Sequence, residues 1–353
     1  MLRRGVRPDG RKARGMNATF AASELRIPLK HPFKITRGES TYARSALLRM
    51  SCDGIDALGE SAPIARYGES VESLLAFFAS YRADAASPYR LEELLAPTIP
   101  PAARCALDIA LHDWIGKATG RPLYEYFGLD PQRTPITSFT IGIADPESTL
   151  QKVDEVREHP ILKIKLGLGA LHQQVETIEA IRARYTGTIR IDANEGWDVD
   201  EAILMLAELA RFDIEFCEQP IPAGNPAGLR AISARSAIPI VTDEDSCDAA
   251  DLPRLAGCVA GVNVKLVKCG GLRGALAMIH TARALGLKVM LGCMVESAIL
   301  ATAAAQISPL VDWADIDGPF LTLDDPFVGV SYDRGKLVLP GGPGLGVRET
   351  PIL

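Results

Sequence analysis

From Pro135 onward one pattern of apolar and polar positions recurs: a short, near-continuous apolar run, a polar or glycine-containing break, then a longer segment whose apolar residues return at helical spacing. Eight apolar runs carry it, at residues 136–143, 161–167, 188–194, 214–220, 238–244, 261–268, 287–293 and 313–319. Strands apolar on both faces belong in a parallel sheet covered by helices, and their regular alternation with helical segments is the grammar of βαβ units. Eight such units predict closure into a barrel. The alternative is an open doubly wound sheet, and no G-x-G-x-x-G stands at the first strand–helix turn to favour it.

The first third reads differently. Residues 25–29 and 45–50 alternate as strands do, and the polar stretch 30–40 between them reads as a long loop joining two hairpin strands. Helical spacing follows over 70–83, 91–96 and, most clearly, 101–117, where Ala106, Ile109, Ala110 and Trp114 fall on one face. This predicts an α+β unit ahead of the barrel. Residues 336–353 are strand-like and then rich in Gly and Pro, and are expected to return over that unit. The uncharged run 297–311 contains Ser, Thr and Gln; it is too short and too polar to span a bilayer and predicts an alanine-rich buried helix.

Composition changes this picture little. The 353 residues are 47% hydrophobic and 23% charged, as in an ordinary globular protein with room for a large domain and a smaller one. The net charge is −6, but residues 1–15 carry Arg3, Arg4, Arg7, Arg11, Lys12 and Arg14 against Asp9 alone. The rest holds 32 basic and 43 acidic residues, a net −11, which argues against nucleic acid or an anionic membrane as partner. The basic tail has no apolar run of signal-peptide length behind it and is expected to be a disordered extension or a misplaced start, with order beginning near Met16. Seven cysteines, an odd number without a C-x-x-C pair, predict reduced thiols and a cytoplasmic location.

The candidate chemistry lies where the predicted strands end. Lys163 and Lys165 stand at i and i+2 in an apolar strand and point the same way, so mutual repulsion is expected to depress one of the two amines and make it a usable base. Asp192 with Asn194 ends the next strand, Glu218 the one after, then Asp243 with Glu244, then Lys265. The gaps from Lys165 to Asp192, Glu218, Asp243 and Lys265 are 27, 26, 25 and 22 residues, one βα unit each, so all five groups should ring one mouth. Any one of these acids alone reads as a helix N-cap. Three on neighbouring strands, with no histidine among them, form an all-oxygen site suited to Mg²⁺ rather than zinc. Lysines on either side of such a site can remove a proton from one face of a carbon and return one to the other. A carbon acid beside a carboxylate is too weak for lysine unaided, and Mg²⁺ would stabilise its dianionic enediolate.

These residues resemble the enolase superfamily, muconate lactonising branch: Lys163-x-Lys165, Asp192-x-Asn194, Glu218-Gln219-Pro220, Asp243-Glu244 and Asn263-Val264-Lys265-x-x-Lys268-x-Gly270-Gly271 stand in the family's order and spacing. The resemblance implies a modified TIM barrel, (β/α)7β, over residues 131–335, under an N-terminal α+β capping domain, 16–130, completed by the C-terminal segment 336–353. It implies one Mg²⁺ per subunit on Asp192, Glu218 and Asp243, with Asn194, Glu244 and Lys268 as supporting neighbours. Lys165 and Lys265 become the two acid/bases, Lys165 for the L epimer and Lys265 for the D epimer. Within the branch the chain is similar to the dipeptide epimerases, most closely the L-Ala-D/L-Glu type that acts in peptidoglycan peptide metabolism. The similarity rests on residues 32–38, 59–63 and 67–70, on Gly292-Cys293-Met294, and above all on Asp315-Ile316-Asp317. It implies that Asp315 and Asp317, at i and i+2 of one strand, receive the substrate's α-ammonium. Acceptors suit a free amine, and they would repel a lactone or a diacid. It further implies that Arg37 pairs with the second residue's side-chain carboxylate, and that Thr140 and Lys163 touch the reacting carboxylate. A dipeptide substrate and an assembly of identical subunits are expected.

Three other readings compete. An o-succinylbenzoate synthase or muconate cycloisomerase of the same branch needs one base and no amine pocket. A Schiff-base aldolase needs no trio of carboxylates. A barrel that binds without turnover needs neither.

Overall fold

The computed structural model describes residues 18–36, 38–83, 85 and 87–350. The expectations for the basic tail 1–15 and for Arg37 lie outside the described residues.

An antiparallel sheet opens the chain: β1 (Ala18–Ile35), β2 (Gly38–Cys52) and β3 (Ile55–Ser61), in that order. The stretch 30–40 is not the long loop the sequence suggested. Both strands run through it, pairing as far as Ile35 with Gly38, and the register shifts between Pro28 and Phe33. A proline cannot serve a ladder, so Pro28 and Pro32 account for the irregularity while the hairpin itself continues. Helices α1 (Val71–Ser80) and α2 (Pro101–Thr119) pack on this sheet, burying Leu48, Met50, Leu74, Phe78, Leu107 and Leu111 between them.

The eight predicted strands are all present, shorter than their apolar runs: β4 (Phe139–Ile141), β5 (Ile161–Lys165), β6 (Thr188–Asp192), β7 (Ile214–Glu218), β8 (Ile240–Thr242), β9 (Gly261–Val264), β10 (Lys288–Gly292) and β11 (Trp313–Asp315). They pair in parallel in sequence order. The sheet closes where Thr137 bridges Ala314 and the Ser138 N–H donates to the Ala314 carbonyl at 3.1 Å. Helices including α3 (Pro146–Glu155), α4 (Leu171–Arg182), α5 (Val199–Leu209), α6 (Pro226–Ser233), α7 (Leu272–Ala284) and α8 (Ala298–Gln306) cover the outside. Local signals match: Asp198 and Glu201 form a capping box at the start of α5, and Asn225 caps α6 just ahead of Pro226. The alanine-rich run forms α8, buried on every side. Among the described residues no helix is long and apolar enough to cross a membrane, and all seven cysteines are unpaired.

Contacts at Glu60 and at Asp113 are among those that tie the first sheet and its helices to the rest. The Glu60 carboxylate at the end of β3 is fully buried and accepts from the Ser297 N–H and hydroxyl, the Leu300 N–H and the Ser45 hydroxyl. An acid from one unit thus caps helix α8 of the other. The C-terminal segment returns to α2, where the Leu345 N–H donates to Asp113 Oδ1 at 2.8 Å.

Candidate active site

Register brings the charged strand ends level. Lys165 of β5 pairs with Asp192 of β6, and Asp192 with Glu218 of β7. Asp243 lies one residue beyond β8 and Lys265 one residue beyond β9. Gly167 keeps the turn after β5 tight: its φ is +92°, and a Cβ there would stand 2.2 Å from the Ala193 carbonyl oxygen.

Lys163 lies buried at the centre. Its Nζ is 2.5 Å from Glu218 Oε2, 2.6 Å from Asp315 Oδ2 and 3.2 Å from Asp192 Oδ2. Lys165 Nζ donates to Asp192 Oδ2 at 2.6 Å, and Lys265 Nζ to Asp243 Oδ2 at 2.9 Å. Burial works against the Lys163 ammonium, but Asp315, Glu218 and Asp192 outweigh it and hold that amine well above the usual lysine range. The depression expected from lysine–lysine repulsion therefore does not fall on Lys163. Lys265 is raised in the same way, Asp243 and Glu218 overcoming burial.

The acids answer to the same balance. Burial would raise Asp192 and Asp243, yet Lys165 with Lys163, and Lys265 with Lys268, hold the two below the ordinary carboxylate range. Glu218 is pushed up to about 7 by burial and by neighbouring Asp192. Among the described residues no three acid, histidine or cysteine side chains converge as a ready-made metal cluster. The expected trio is present on consecutive strands, but each carboxylate turns to an ammonium, because unpaired buried charges of one sign repel. As a donor set the trio still fits a hard dication: three buried carboxylates with no imidazole among them.

Neighbours fix these groups. The Asn194 N–H donates to Asp192 Oδ1 at 2.8 Å from a left-handed backbone, φ +44°. Lys268 Nζ donates to Asp243 Oδ1 at 2.6 Å and to the Ser246 and Asn263 carbonyls, and Glu244 is buried beside Asp243. Sequence reasoning quoted two amides within the motifs but gave them no role. Asn263 Nδ2 donates to Glu218 Oε1 at 2.6 Å; its place two residues before Lys265, on the same face of β9, was the available signal. Gly292 makes room for it, since a Cβ there would come 2.5 Å from Asn263 Oδ1. Gln219 Oε1 accepts the Asp243 N–H at 2.9 Å. Glu296 was also missed; it is buried, burial pushes its carboxyl well up, and it accepts the Met294 N–H at 3.0 Å.

Asp315 ends β11, but Asp317 is not on that strand; it precedes the short helix Gly318–Leu321. The two still meet at one place. Asp315 Oδ1 accepts the Ser138 hydroxyl at 2.5 Å, and Asp317 Oδ2 accepts the Thr140 N–H at 2.6 Å, with the Thr140 hydroxyl 3.5 Å from Asp315. Thr140 is thus seated against the paired acids. Burial and then Asp315 push Asp317 up to about 6, whereas at Asp315 Lys163 outweighs burial and lowers it.

Lys163, Lys165, Lys265, Asp315 and Asp317 line one cavity of about 460 Å³, roofed by the first hairpin and residues 62–66. Three strands, β6 to β8, lie between the strand of Lys165 and that of Lys265, which puts the two amines on opposite sides of the barrel mouth. Thr36 Oγ1 donates to the Asn194 carbonyl at 2.9 Å and Arg66 to Glu195 Oε1 at 2.6 Å, holding the roof to the β6 loop.

A parallel eight-stranded barrel with acids on successive strand ends, lysines on both sides and an antiparallel N-terminal cover defines an enolase-type protein. Two family descriptions match: Mandelate racemase / muconate lactonizing enzyme, N-terminal domain, over residues 18–128, and Enolase C-terminal domain-like over residues 148–350. The chain belongs to this mandelate racemase / muconate lactonizing enzyme family of the enolase superfamily. It is 37% identical over 342 residues to the L-Ala-D/L-Glu epimerase of Bacteroides thetaiotaomicron, covering 95% of this chain and 88% of that one. Its fold is similar to that of a dipeptide epimerase from Cytophaga hutchinsonii complexed with Mg and the dipeptide D-Ala-L-Val, with a TM-score of 0.88, 28% identity, and coverage of 95% and 96% of the two chains. The muconate lactonizing enzyme of Pseudomonas fluorescens is as similar in fold, with a TM-score of 0.88, 26% identity, and coverage of 96% and 97%. Overall shape therefore does not separate the chemistries of the branch; the site does.

Proposed function

We propose that the protein is a Mg²⁺-dependent dipeptide epimerase, an isomerase that inverts the α-carbon of the C-terminal residue. The observation that carries this reading is the pair Asp315 and Asp317 in the same cavity as Lys165 and Lys265. Two acids recognise a free α-ammonium, and amines on opposite sides of the mouth serve the two faces of one carbon. A lyase or cycloisomerase of the same branch has no use for the paired acids.

In this reading Asp192, Glu218 and Asp243 hold the ion, and Asn194, Asn263 and Lys268 keep those carboxylates in place. When bound, Mg²⁺ would supply positive charge to offset what develops on the substrate carboxylate as an amine base takes the α-proton. Lys165 removes the α-proton of the L epimer while Lys265, protonated, delivers one to the opposite face; the roles reverse for the D epimer. Lys163 stays cationic among its acids and contributes positive charge beside the reacting carboxylate.

The test is a library of L,L-dipeptides incubated with the protein and Mg²⁺ in D₂O. A mass gain of one deuterium at the C-terminal residue, with the epimer appearing, is the expected result. Failure of every member to exchange overturns the reading.

A further inference from the structure

We propose that the protein acts on dipeptides whose N-terminal residue bears a large apolar or aromatic side chain, received in a second cavity between the first hairpin and helix α3 that shares part of its wall with the cavity of the paired acids. The inference rests on the epimerase reading and adds the substrate class.

This cavity measures about 260 Å³ and is walled by Phe33, Phe139, Ile141, Val156, Phe320 and Leu321. Phe33, Thr140 and Leu321 line both it and the larger cavity of the lysines, so the two share a wall. Thr140 ties that shared wall to the paired acids, since its N–H donates to Asp317 Oδ2 at 2.6 Å. An ammonium seated on Asp315 and Asp317 is one bond from the N-terminal α-carbon, and the side chain leaves from that same carbon. Directed past Thr140, Phe33 and Leu321, which line both cavities, that side chain would enter the second one.

The shape and chemistry of the space define what fills it. Phe139 and Phe320 stack with centroids 5.7 Å apart and planes 20° from parallel, and Tyr332 backs Phe320 at 4.2 Å, giving a flat, supported aromatic wall. The charged groups of the lining, Lys30, His31, Lys152 and Glu155, come from the hairpin and from α3, and Lys30, His31 and Glu155 are exposed at the outer rim. An apolar cavity of roughly 150 Å³ is enough to hold a benzene ring. An alanine methyl would leave most of this one empty, whereas a leucine or phenylalanine side chain would fill it.

The experiment compares kcat/KM for L-Ala-L-Glu, L-Leu-L-Glu, L-Phe-L-Glu and L-Glu-L-Glu, with solvent-deuterium uptake as the readout. One added methylene in a fitting pocket changes discrimination by about tenfold or more, so the better of the leucyl and phenylalanyl substrates should exceed the alanyl one by at least about tenfold. A smaller ratio, or a glutamyl substrate as the best, overturns the inference while leaving the epimerase reading intact. Where none of the four exchanges, the same N-terminal series on the C-terminal residue best exchanged in the L,L-dipeptide library decides, and no exchange anywhere in that library removes the epimerase reading itself. Val156→Phe, which fills the cavity from α3, should cut the bulky-over-alanyl ratio by at least about fivefold. An unchanged ratio in a variant with the parent's thermal transition counts against the inference, and if the variant does not fold the parent's own ratio decides.

Discussion

Lys163 Nζ lies 2.6 Å from Asp315 Oδ2 and 2.5 Å from Glu218 Oε2, so one buried ammonium joins an acid proposed to receive the substrate's amine to an acid proposed to hold the ion. In the proposed reading, a dipeptide ammonium arriving at Asp315 would compete with Lys163 for that carboxylate. Substrate binding and the electrostatics of the ion site would then be linked through a single side chain.

The amine pocket is tested by Asp315→Asn combined with Asp317→Asn. Removing the charged acceptors of a desolvated ammonium costs about 2–5 kcal/mol, so kcat/KM for free dipeptides should fall by about 10²-fold or more. N-acetylated dipeptides should be poor substrates of the parent protein. Steady-state kinetics on both substrate types check this, and parent-like rates in the double variant would contradict the pocket.

Lys165→Ala and Lys265→Ala should each abolish epimerisation, since a positioned acid or base contributes about 10²–10⁴-fold and both are needed for a full turnover. Exchange should survive on one side: Lys265→Ala retains α-hydrogen exchange of the L epimer and Lys165→Ala that of the D epimer. Proton NMR in D₂O with each epimer separately reads this. Loss of exchange from both epimers in both variants would remove the two-face arrangement.

Chelation should stop exchange, and returned Mg²⁺ should restore it. Asp243→Asn should weaken Mg²⁺ binding measured by calorimetry. It should also lower stability by about 3 kcal/mol, because Lys265 and Lys268 both bond that carboxylate and would keep buried charge with less to offset it. Chemical denaturation reads the second effect without substrate.

Activity and stability should move in opposite directions as Asp317 titrates. Its folded value, about 6, lies above the ordinary 3.8. The folded protein therefore binds the extra proton between those values, and the stability this contributes is lost as pH rises through the window. The ammonium needs the ionised form, so kcat/KM at saturating Mg²⁺ should climb over the same window. Asp317→Asn should lose the limb near pH 6; an unchanged profile would assign that limb to another group.

How much was legible beforehand differs by residue. The strand of Lys163 and Lys165 could be read from its apolar flanks, and the acids could be placed at one mouth because a βα unit has a narrow range of lengths. The hairpin through residues 30–40 could not, since its prolines and charges look like a loop until a partner strand is supplied. Asn263 hid in plain view, because an amide in an apolar strand announces no partner until Glu218 is beside it.

Period and spacing along the chain determined the barrel, the order of its lysines and acids, and the family, because each depends on neighbours in sequence or on the length of a repeating unit. Only the tertiary structure decided that Lys163 joins three acids, that Thr140 is seated against Asp317, and that an apolar cavity opens beside them. Those relations join residues as far apart as Thr140 and Asp317, 177 positions along the chain, and they come into being only when the eighth strand closes on the first.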